Sequence, residues 1–564
     1  EAGIIRKNWH GRIRICLVYP NVYRVGMSNL GLHAVYRLFN ERENVVCERA
    51  FLPDEPTVPA LSVESRRPLA DFDLIAFSVS FENDYDHILD ILDRAGIPLQ
   101  AELRGPPHPL VLAGGVACFL NPEPLAAFVD GILIGEAEPL VDQFLSSYSR
   151  LDFQHATSRM ENLAALAREV PGFYAPAWYH PQYHADGTLS DFTPLGDVPA
   201  VIVRRRLDNL DACDTCSTIL TPDTAFDRSF LVEVSRGCPH GCRFCSAGFV
   251  YRPPRFRQLP QLTASLQQGA ALTDRVGLVG AAVSDLPAIE ALCAASAKSG
   301  VRLSFSSLRA DALSAGLIDA LRRSRVKTAT IAPEAGSQRL RNVINKGIEE
   351  ADVLRAATAL VSGGIPNLRL YFMIGLPTET GADVAAIVEL SRRVRERFVD
   401  ASRVHGRIGR ITLSVSPFVP KASTPFQWAP MEDPRTLKHK ISMLRNAIGR
   451  IPNVKLHADR PGRSYVQALL ARGDRRVADL LLAAHQNRGG WAKALKAATF
   501  DPDFFARRER PVEERLPWDF IDSGIKKSFL AAEYRRALAG RPSPACPVTD
   551  CASCGVCRSV PAAI

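Results

Sequence analysis

Apolar positions in the first part of the chain come in short runs separated by stretches of helical period. Runs at 12–20, 45–51, 74–80, 110–115 and 131–136 read as strands, and stretches at 28–39 and 87–95 put their apolar residues on one helical face. Repeated strand–helix units imply a parallel, doubly wound sheet whose ligand crevice lies at the carboxyl ends of its strands. The residues expected at those ends are mostly small: Ser78, Ser80, Gly114, Gly115, and Gly135 followed by Glu136. Small side chains at such points let a large ligand approach the backbone.

Between 151 and 224 this rhythm is lost. Turn signals such as Pro171-Gly172 and Asp186-Gly187 alternate with a short strand-like piece at 200–203, the pattern of a connector. The rhythm returns at 230–234 and repeats at 275–283, 302–309, 328–337, 368–379 and 411–421, each apolar run ending in small, polar or charged residues. This series predicts a partial (β/α) barrel, a fold whose strand C-termini carry the site. After 433 the period turns helical, at 437–448, 464–472, 475–486, 491–498 and 526–538, with Gly540 and Pro542 as stop signals. The expected fold is thus α/β in four parts. A doubly wound sheet covers 1–150, a linker 151–225, a partial barrel 226–432, and a helical region ending in a cysteine cluster 433–564.

Composition adds limits rather than a function. A chain of 564 residues exceeds one core. Its 46% hydrophobic and 23% charged residues are ordinary for globular protein. The net charge of +9 is spread through Arg-rich helices, which permits an anionic partner such as RNA but is as well explained by a solvated surface. No apolar run reaches the ~20 residues of a membrane span, and residues 1–8 lack the apolar core of a signal peptide. A cytoplasmic location without membrane contact is the expectation.

The 13 cysteines sharpen the picture. Cys16, Cys47, Cys118 and Cys293 stand singly in apolar surroundings and read as buried small hydrophobes. Cys213 and Cys216 form a C-x2-C pair with no second pair nearby, which can be half a metal site, a redox pair or plain surface thiols, and stays unassigned. The other seven fall in two motifs, a pattern of metal clusters in a reducing compartment rather than of disulfides. Cys238, Cys242 and Cys245 follow the strand-like run Phe230-Leu-Val-Glu-Val at C-x3-C-x2-C spacing. A cubane 4Fe–4S cluster normally takes four thiolates, so three leave one iron open. A zinc site would want a fourth ligand, and His240, inside the loop, is badly placed to join its own neighbours. Cys546, Cys551, Cys554 and Cys557 crowd the last nineteen residues, and four thiolates suit either a closed Fe–S cluster or structural zinc.

The three-cysteine loop, with Phe244 before its last cysteine, resembles the signature of the radical S-adenosylmethionine (radical SAM) enzymes. The Gly114-Gly115 and Gly135-Glu136-Ala-Glu138 signals, separated by Asn121-Pro-Glu-Pro, resemble the cobalamin-binding domain that precedes the core in a large bacterial branch of that family. The stretches at 332–341 and 418–428 resemble the same branch. The resemblance implies that the open iron holds SAM and that an electron from the cluster cleaves it to a 5′-deoxyadenosyl radical. It assigns Ser284 and Asp285 to the SAM amino group, where the family usually has a Gly-Glu element. It further assigns Arg309 to the SAM carboxylate, Glu334 to the ribose, and Gly375 with Pro377 to the adenine. A planar guanidinium suits a carboxylate. It also implies cobalamin above the core, held near Ser78, Ser80, Gly114, Gly115, Gly135 and Glu136, although the chain lacks the D-x-H-x-x-G motif whose histidine would ligate cobalt.

The function expected on these grounds is reductive cleavage of SAM, extended to methyl transfer onto an unreactive carbon if cobalamin binds. A reductant such as flavodoxin or ferredoxin would feed the cluster, and a second Fe–S cluster or zinc would occupy the tail. Two alternatives stand beside it. One is RNA or ribosome modification, from a partial likeness to the radical-SAM methylthiotransferases; the other is a non-catalytic Fe–S or zinc protein that binds RNA.

Overall fold

A computed structural model describes residues 1–55, 57–153, 158–306, 308–548 and 551–559. The first apolar runs become β1 (Ile13–Tyr19), β2 (Val45–Phe51), β3 (Leu74–Ser78), β4 (Leu110–Gly114) and β5 (Gly131–Leu133), joined by β6 (Phe173–Tyr174). They form one sheet in the order β2-β1-β3-β4-β5-β6, parallel throughout except for the β5–β6 pair. Stepping outward from β1 in both directions makes this a doubly wound sheet with its switch point between β1 and β3. Helices Leu30–Asn40, Tyr85–Arg94 and Glu138–Tyr148 supply its cover. Every residue of β2 is buried, as two covered faces require. Arg49 is buried there because its guanidinium pairs with Glu64 and Glu1, each at 2.7 Å.

The connector carries an antiparallel hairpin, Tyr179–Tyr183 with Leu189–Pro194, and Ile202–Val203, which pairs in parallel with Ile521–Asp522 near the other end of the chain. The linker is therefore fastened to the C-terminal region.

The second half supplies β7 (Phe230–Glu233), β8 (Arg275–Val279), β9 (Arg302–Phe305), β10 (Thr328–Glu334), β11 (Asn367–Ile374), β12 (Ile411–Pro417) and β13 (Val454–Ala458). β7, β8 and β9 form one parallel sheet, and β10 to β13 another. Among the described residues a parallel bridge, Leu308 with Ile331, links the two. The expected strand at 302–309 ends at Phe305, and Ser307 within it lies outside the described residues. The result is an open arc of seven strands rather than a closed barrel, which agrees with the partial barrel read from the sequence.

One boundary moves. The region beyond 433 was expected to be helical, yet β13 lies within it and extends the parallel sheet beside β12. Its sequence, Val-Lys-Leu-His-Ala, is short and flanked by helices Pro434–Ile448 and Pro461–Arg472, so the helical periodicity around it hides it.

Residues of β11 and β12 alternate between buried and accessible positions. The buried set, Leu368, Leu370, Phe372, Ile411, Leu413 and Val415, packs under the outer helices. The other set faces the hollow of the arc and is polar or only partly covered, including Arg369, Tyr371, Thr412, Ser414 and Ser416. Parallel strands normally bury both faces. Here the inner face stays partly open, and the cysteine loop lies at one end of the arc.

Candidate functional site

The cysteine loop leaves β7 through Ser235–Arg236 and turns at Gly237, whose φ of +83° is a left-handed conformation that glycine adopts without strain. A Cβ at Gly237 would meet the Tyr251 carbonyl oxygen at 2.6 Å. Cys242 is buried, whereas Cys238 and Cys245 are half-buried. The Cys245 N–H donates to the Cys242 carbonyl at 3.0 Å, tightening the last turn. Burial pushes the Cys238 thiol up to about 12 and the Cys242 thiol up to about 11, and each feels its neighbouring thiols. Loading a metal cluster must therefore displace protons from these sulfurs. Among the described residues, no three His, Cys, Asp or Glu side chains converge as a set for a single metal ion. The fit to a 4Fe–4S cluster rests on the donor chemistry, three soft thiols on one loop with cations beside them.

His240 does not turn towards its own cysteines. Its Nε2 lies 2.5 Å from Asp285 Oδ2, so the carboxylate expected to face the SAM amino group already has a partner. Ser284 is buried and its Oγ accepts from the Arg309 N–H at 3.3 Å. The charge of Arg309 acts on the Cys242 thiol, but one bidentate face of its guanidinium is taken by Asp311, at 3.0 and 2.8 Å. Its other edge has only the Lys346 carbonyl at 3.5 Å, which is the edge left for a carboxylate.

Glu334 ends β10 with a φ of +66°, a conformation that non-glycine residues rarely hold. Strained backbone of this kind gathers at functional positions. Its carboxylate pairs with Lys346 Nζ at 3.3 Å. Burial lowers the Lys346 pKa, but Glu334 and Cys242 more than offset it and keep the ammonium charged. Sequence reasoning missed Lys346: it follows a short helix, Gln338–Val343, and only the fold brings it to the cysteines. Gly375, with φ +78°, ends β11 and donates its N–H to Glu379 Oε1 at 2.9 Å. Lys440 then holds Glu379 at 2.6 Å, which fixes the turn containing Pro377 against helix Pro434–Ile448. Phe244 packs half-buried against the core beside the loop.

The residues read from the first sheet come together. Ser78, Ser80, Gly114, Gly115, Gly135 and Glu136 all line one cavity of about 560 Å³. Its far wall is Glu233, Ser235, Arg236 and Gly237, the entrance to the cysteine loop. Gly115 has φ +102° and would place a Cβ 2.4 Å from the Val79 carbonyl oxygen, so only glycine passes there. Much of the lining is apolar, from Leu17, Ala34, Ala76, Ala113 and Leu133, and the volume falls in the range of small-molecule and cofactor sites. No histidine is among the lining residues. His87 instead lies 2.9 Å from the Pro20 carbonyl oxygen through its Nδ1.

Glu136 has a second partner set, which the sequence did not reveal. It pairs with Arg236 at 2.6 Å and with Arg255 at 2.7 Å, and accepts from the Leu207 N–H at 2.9 Å. Burial works to raise its pKa, but the two guanidinium groups outweigh that and hold its carboxyl below the ordinary value. Arg236 also binds Glu138 and Glu233, at 2.8 and 2.9 Å. Three carboxylates thus surround the guanidinium two residues before Cys238, and two of them belong to the first domain.

Of the other cysteines, Cys213 is near enough to Arg37 Nη2 for a 3.5 Å contact, and Cys216 is buried beside Gln268. The tail lies against the loop itself, with the Cys546 N–H donating to the Pro239 carbonyl at 2.7 Å.

Known families match both halves. Residues 232–391 match the radical SAM superfamily, and residues 31–176 match the family described as radical SAM proteins, N-terminal. The chain is a radical SAM enzyme. A radical SAM enzyme carries a 4Fe–4S cluster and uses SAM, and the cysteine loop lies inside the matched span. The chain is 28% identical over 471 residues to the uncharacterized protein MJ0966 of Methanocaldococcus jannaschii, covering 83% of this chain and 90% of that one. Among solved structures it is similar to TsrM, a radical SAM methyltransferase from Kitasatospora setae, with cobalamin and a 4Fe–4S cluster bound. The TM-score is 0.48 at 13% identity, over 86% of this chain and 100% of that one. It is also similar to the cobalamin-dependent radical SAM enzyme OxsB with aqua-cobalamin bound, with a TM-score of 0.44 at 14% identity, over 67% of this chain and 52% of that one. The chain thus spans about half the length of OxsB. Among the described residues no helix is long and apolar enough to cross a membrane.

Proposed function

We propose that this radical SAM enzyme uses cobalamin held in the cavity above the cysteine loop to transfer a methyl group to an unreactive carbon. The observation that carries the reading is the cavity itself. Its walls come from the carboxyl ends of the first sheet on one side and from the approach to Cys238 on the other. A group bound there would lie against the backbone that leads into the loop. Small residues at Gly114, Gly115, Ala76 and Ala113 suit a wide, flat ligand with apolar faces, and Asn29, Ser78, Ser80 and Thr215 offer polar contacts at its edge.

When bound, the cluster and SAM supply the radical or the methyl group, and the corrinoid supplies methyl-carrying chemistry. The chain's part is to bind, orient and exclude water. In this reading Cys238, Cys242 and Cys245 hold the cluster, Phe244 packs beside it, and Ser284, Asp285, Arg309, Glu334, Gly375 and Pro377 surround SAM. Glu334, held by Lys346 at 3.3 Å, is pre-oriented to accept from hydroxyl groups. The edge of Arg309 that makes only 3.5 Å contacts with the Lys346 carbonyl is the one offered to a carboxylate. Arg236 fixes the loop to the first domain, so the two ligands keep one relative position. An external one-electron reductant is required, as for radical SAM enzymes generally.

Corrinoid binding tests the reading. The purified protein is expected to bind hydroxocobalamin, with the shift of the corrinoid absorption bands as readout. Ser80→Trp, which fills the cavity from a half-buried position, is expected to weaken binding at least tenfold. No binding by the parent protein, or equal binding by the variant, would remove cobalamin from the account.

A further inference from the structure

The inner face of the arc has no part in the site described above, and its side chains stand in rows. Register partners on neighbouring parallel strands share a face of the sheet, and every second residue along a strand returns to that face. Arg369 of β11 stands beside Thr330 of β10 on one side and Thr412 of β12 on the other, and Thr412 stands beside Lys455 of β13. Two residues further along, the next row is Tyr371, Ser414 and His457. Arg369, Lys455 and His457 are exposed, and Tyr371 is 39% exposed although β11 has a neighbour on each side. Arg410, immediately before β12, adds a third exposed cation at the amino-terminal rim, where its N–H donates to Asn367 Oδ1 at 3.0 Å.

These cations face no opposite charge. Among the described residues, none of Arg369, Arg410 and Lys455 makes an ion pair. The two rows hold no Asp or Glu. Glu334 and Asp459 stand at the carboxyl ends of the strands, and each is engaged, by Lys346 at 3.3 Å and by Ser416 Oγ at 2.7 Å. Arginines on the outer helices are treated differently: Arg322, Arg355 and Arg392 pair with Asp319, Asp352 and Glu389, three residues earlier in each case. A surface that only keeps a protein in solution mixes the two signs in this way. Unpaired cations interleaved with threonine and serine hydroxyls are instead the donor set of an anion site. A guanidinium matches two phosphate oxygens at once, and an ammonium adds a point charge. Three cations suit the double charge of a phosphate monoester better than the single charge of a carboxylate.

The strands also set a distance. Glu334 is in register with Phe372, three residues beyond Arg369. At about 3.3 Å per residue, the row of Arg369 lies about 10 Å from the level of Glu334. Tyr371 lies between them and offers a ring face to a carbon skeleton.

We propose that the hollow of the arc is the substrate site, and that Arg369, Lys455 and Arg410 bind the phosphate of a small phosphorylated substrate. Tyr371 flanks its carbon skeleton, and its reacting carbon lies about 10 Å from the phosphate, at the level of Glu334. The inference rests on the radical SAM reading of the loop and on Glu334 as a contact of SAM, and the test separates it from them.

The reconstituted full-length protein is titrated with glycerol 3-phosphate, with calorimetric heat and phosphorus NMR line width as readouts. The double variant Arg369→Gln, Lys455→Gln changes two exposed residues and is expected to keep the parent's circular dichroism. It is expected to bind the phosphate ester at least about tenfold more weakly, the loss of charge-assisted hydrogen bonds. Arg397→Gln, an exposed cation on the outer helix Gly381–Ser402, is expected to bind as the parent protein does. Glycerate, a carboxylate of similar size, is expected to bind the parent protein about tenfold more weakly than the phosphate ester. Equal binding by the parent and the double variant, the same loss in Arg397→Gln, or glycerate bound as tightly as the ester would each overturn the proposal. A single-stranded RNA oligonucleotide that binds more tightly than the ester, and loses that advantage in the double variant, would assign the face to a nucleic acid and overturn the small substrate. Absence of 5′-deoxyadenosine from the parent protein with its loop fully loaded would sink the radical SAM reading, and the substrate assignment with it, even where phosphate still binds.

Discussion

Arg236 shows how a charge one turn away from a metal loop can matter as much as the ligands. Its guanidinium is 11% exposed and meets Glu136, Glu138 and Glu233 within 2.9 Å. Without it Glu136 keeps Arg255 and Glu233 keeps Arg257, while Glu138 loses its guanidinium partner, so the loss lies at the low end of the about 3–5 kcal/mol for breaking a buried ion pair. Arg236→Gln is therefore expected to lower unfolding stability by about 3 kcal/mol in denaturant titration, and to reduce cluster loading at the loop. Stability within error of the parent protein would show that the carboxylates are satisfied by water instead. Glu334 makes a second residue-scale prediction, argued from its strained φ of +66° and its pairing with Lys346. A hydrogen bond to a charged group contributes about 1.5–3 kcal/mol. Glu334→Gln is thus expected to weaken SAM binding at least tenfold by calorimetry, while cluster iron content stays the same. Unchanged affinity would take Glu334 out of the SAM site.

At the scale of elements, helix Leu30–Asn40 joins the first sheet to the connector through His33. Its Nε2 lies 3.1 Å from the Met27 carbonyl oxygen, and its Nδ1 accepts from the Ile219 N–H at 3.3 Å. Burial pushes the His33 pKa down to about 4, outweighing the pull of the Met27 carbonyl. The folded protein therefore holds this ring neutral, while the unfolded chain binds a proton near pH 6.5. Stability is fully present above about pH 6.5 and falls as pH drops towards 4, by about 3 kcal/mol from this group. Denaturant midpoints measured across that window are expected to fall in the parent protein and to fall less steeply in His33→Gln. Parallel pH profiles would show that His33 does not titrate alone in that range.

The elements also show what sequence could and could not supply. Most strands of the three main sheets are legible because apolar runs of strand length recur between helical stretches, and β1 to β5 lie where those runs predict them. β13 was not legible, since five residues bearing Lys455 and His457 between two helices carry too weak a period. Glu136 was read towards a cofactor because its motif is Gly-Glu. Its partners Arg236 and Arg255 stand about a hundred residues away, and no local pattern announces such a pair. Asn121-Pro-Glu-Pro is a second such case. Asn121 Nδ2 donates to the Gly473 carbonyl at 2.7 Å and Glu123 pairs with Arg475 at 3.0 Å, so the motif anchors the C-terminal helices. Lys346 and the closeness of the tail to the loop were invisible for the same reason.

Over the whole molecule, three separate stretches of chain meet at one loop. The first domain reaches it through Glu136 and Glu138, the barrel arc through Asp285 and Asn345, and the tail through Cys546 and Ser543. A buried Glu82–Lys421 pair at 2.6 Å, with Gln467 at 3.0 Å, locks the first domain to the arc on another side. Such an arrangement holds the loop against motion of any one part. It agrees with a centre at which a cluster, SAM and a further cofactor must keep fixed positions. The most direct test is anaerobic reconstitution with iron and sulfide, then reduction with dithionite in the presence of SAM, with 5′-deoxyadenosine measured by chromatography. The account predicts its formation by the parent protein and its loss in Cys238→Ala, Cys242→Ala and Cys245→Ala. Absence of 5′-deoxyadenosine from a parent protein whose loop is fully loaded with iron would contradict it.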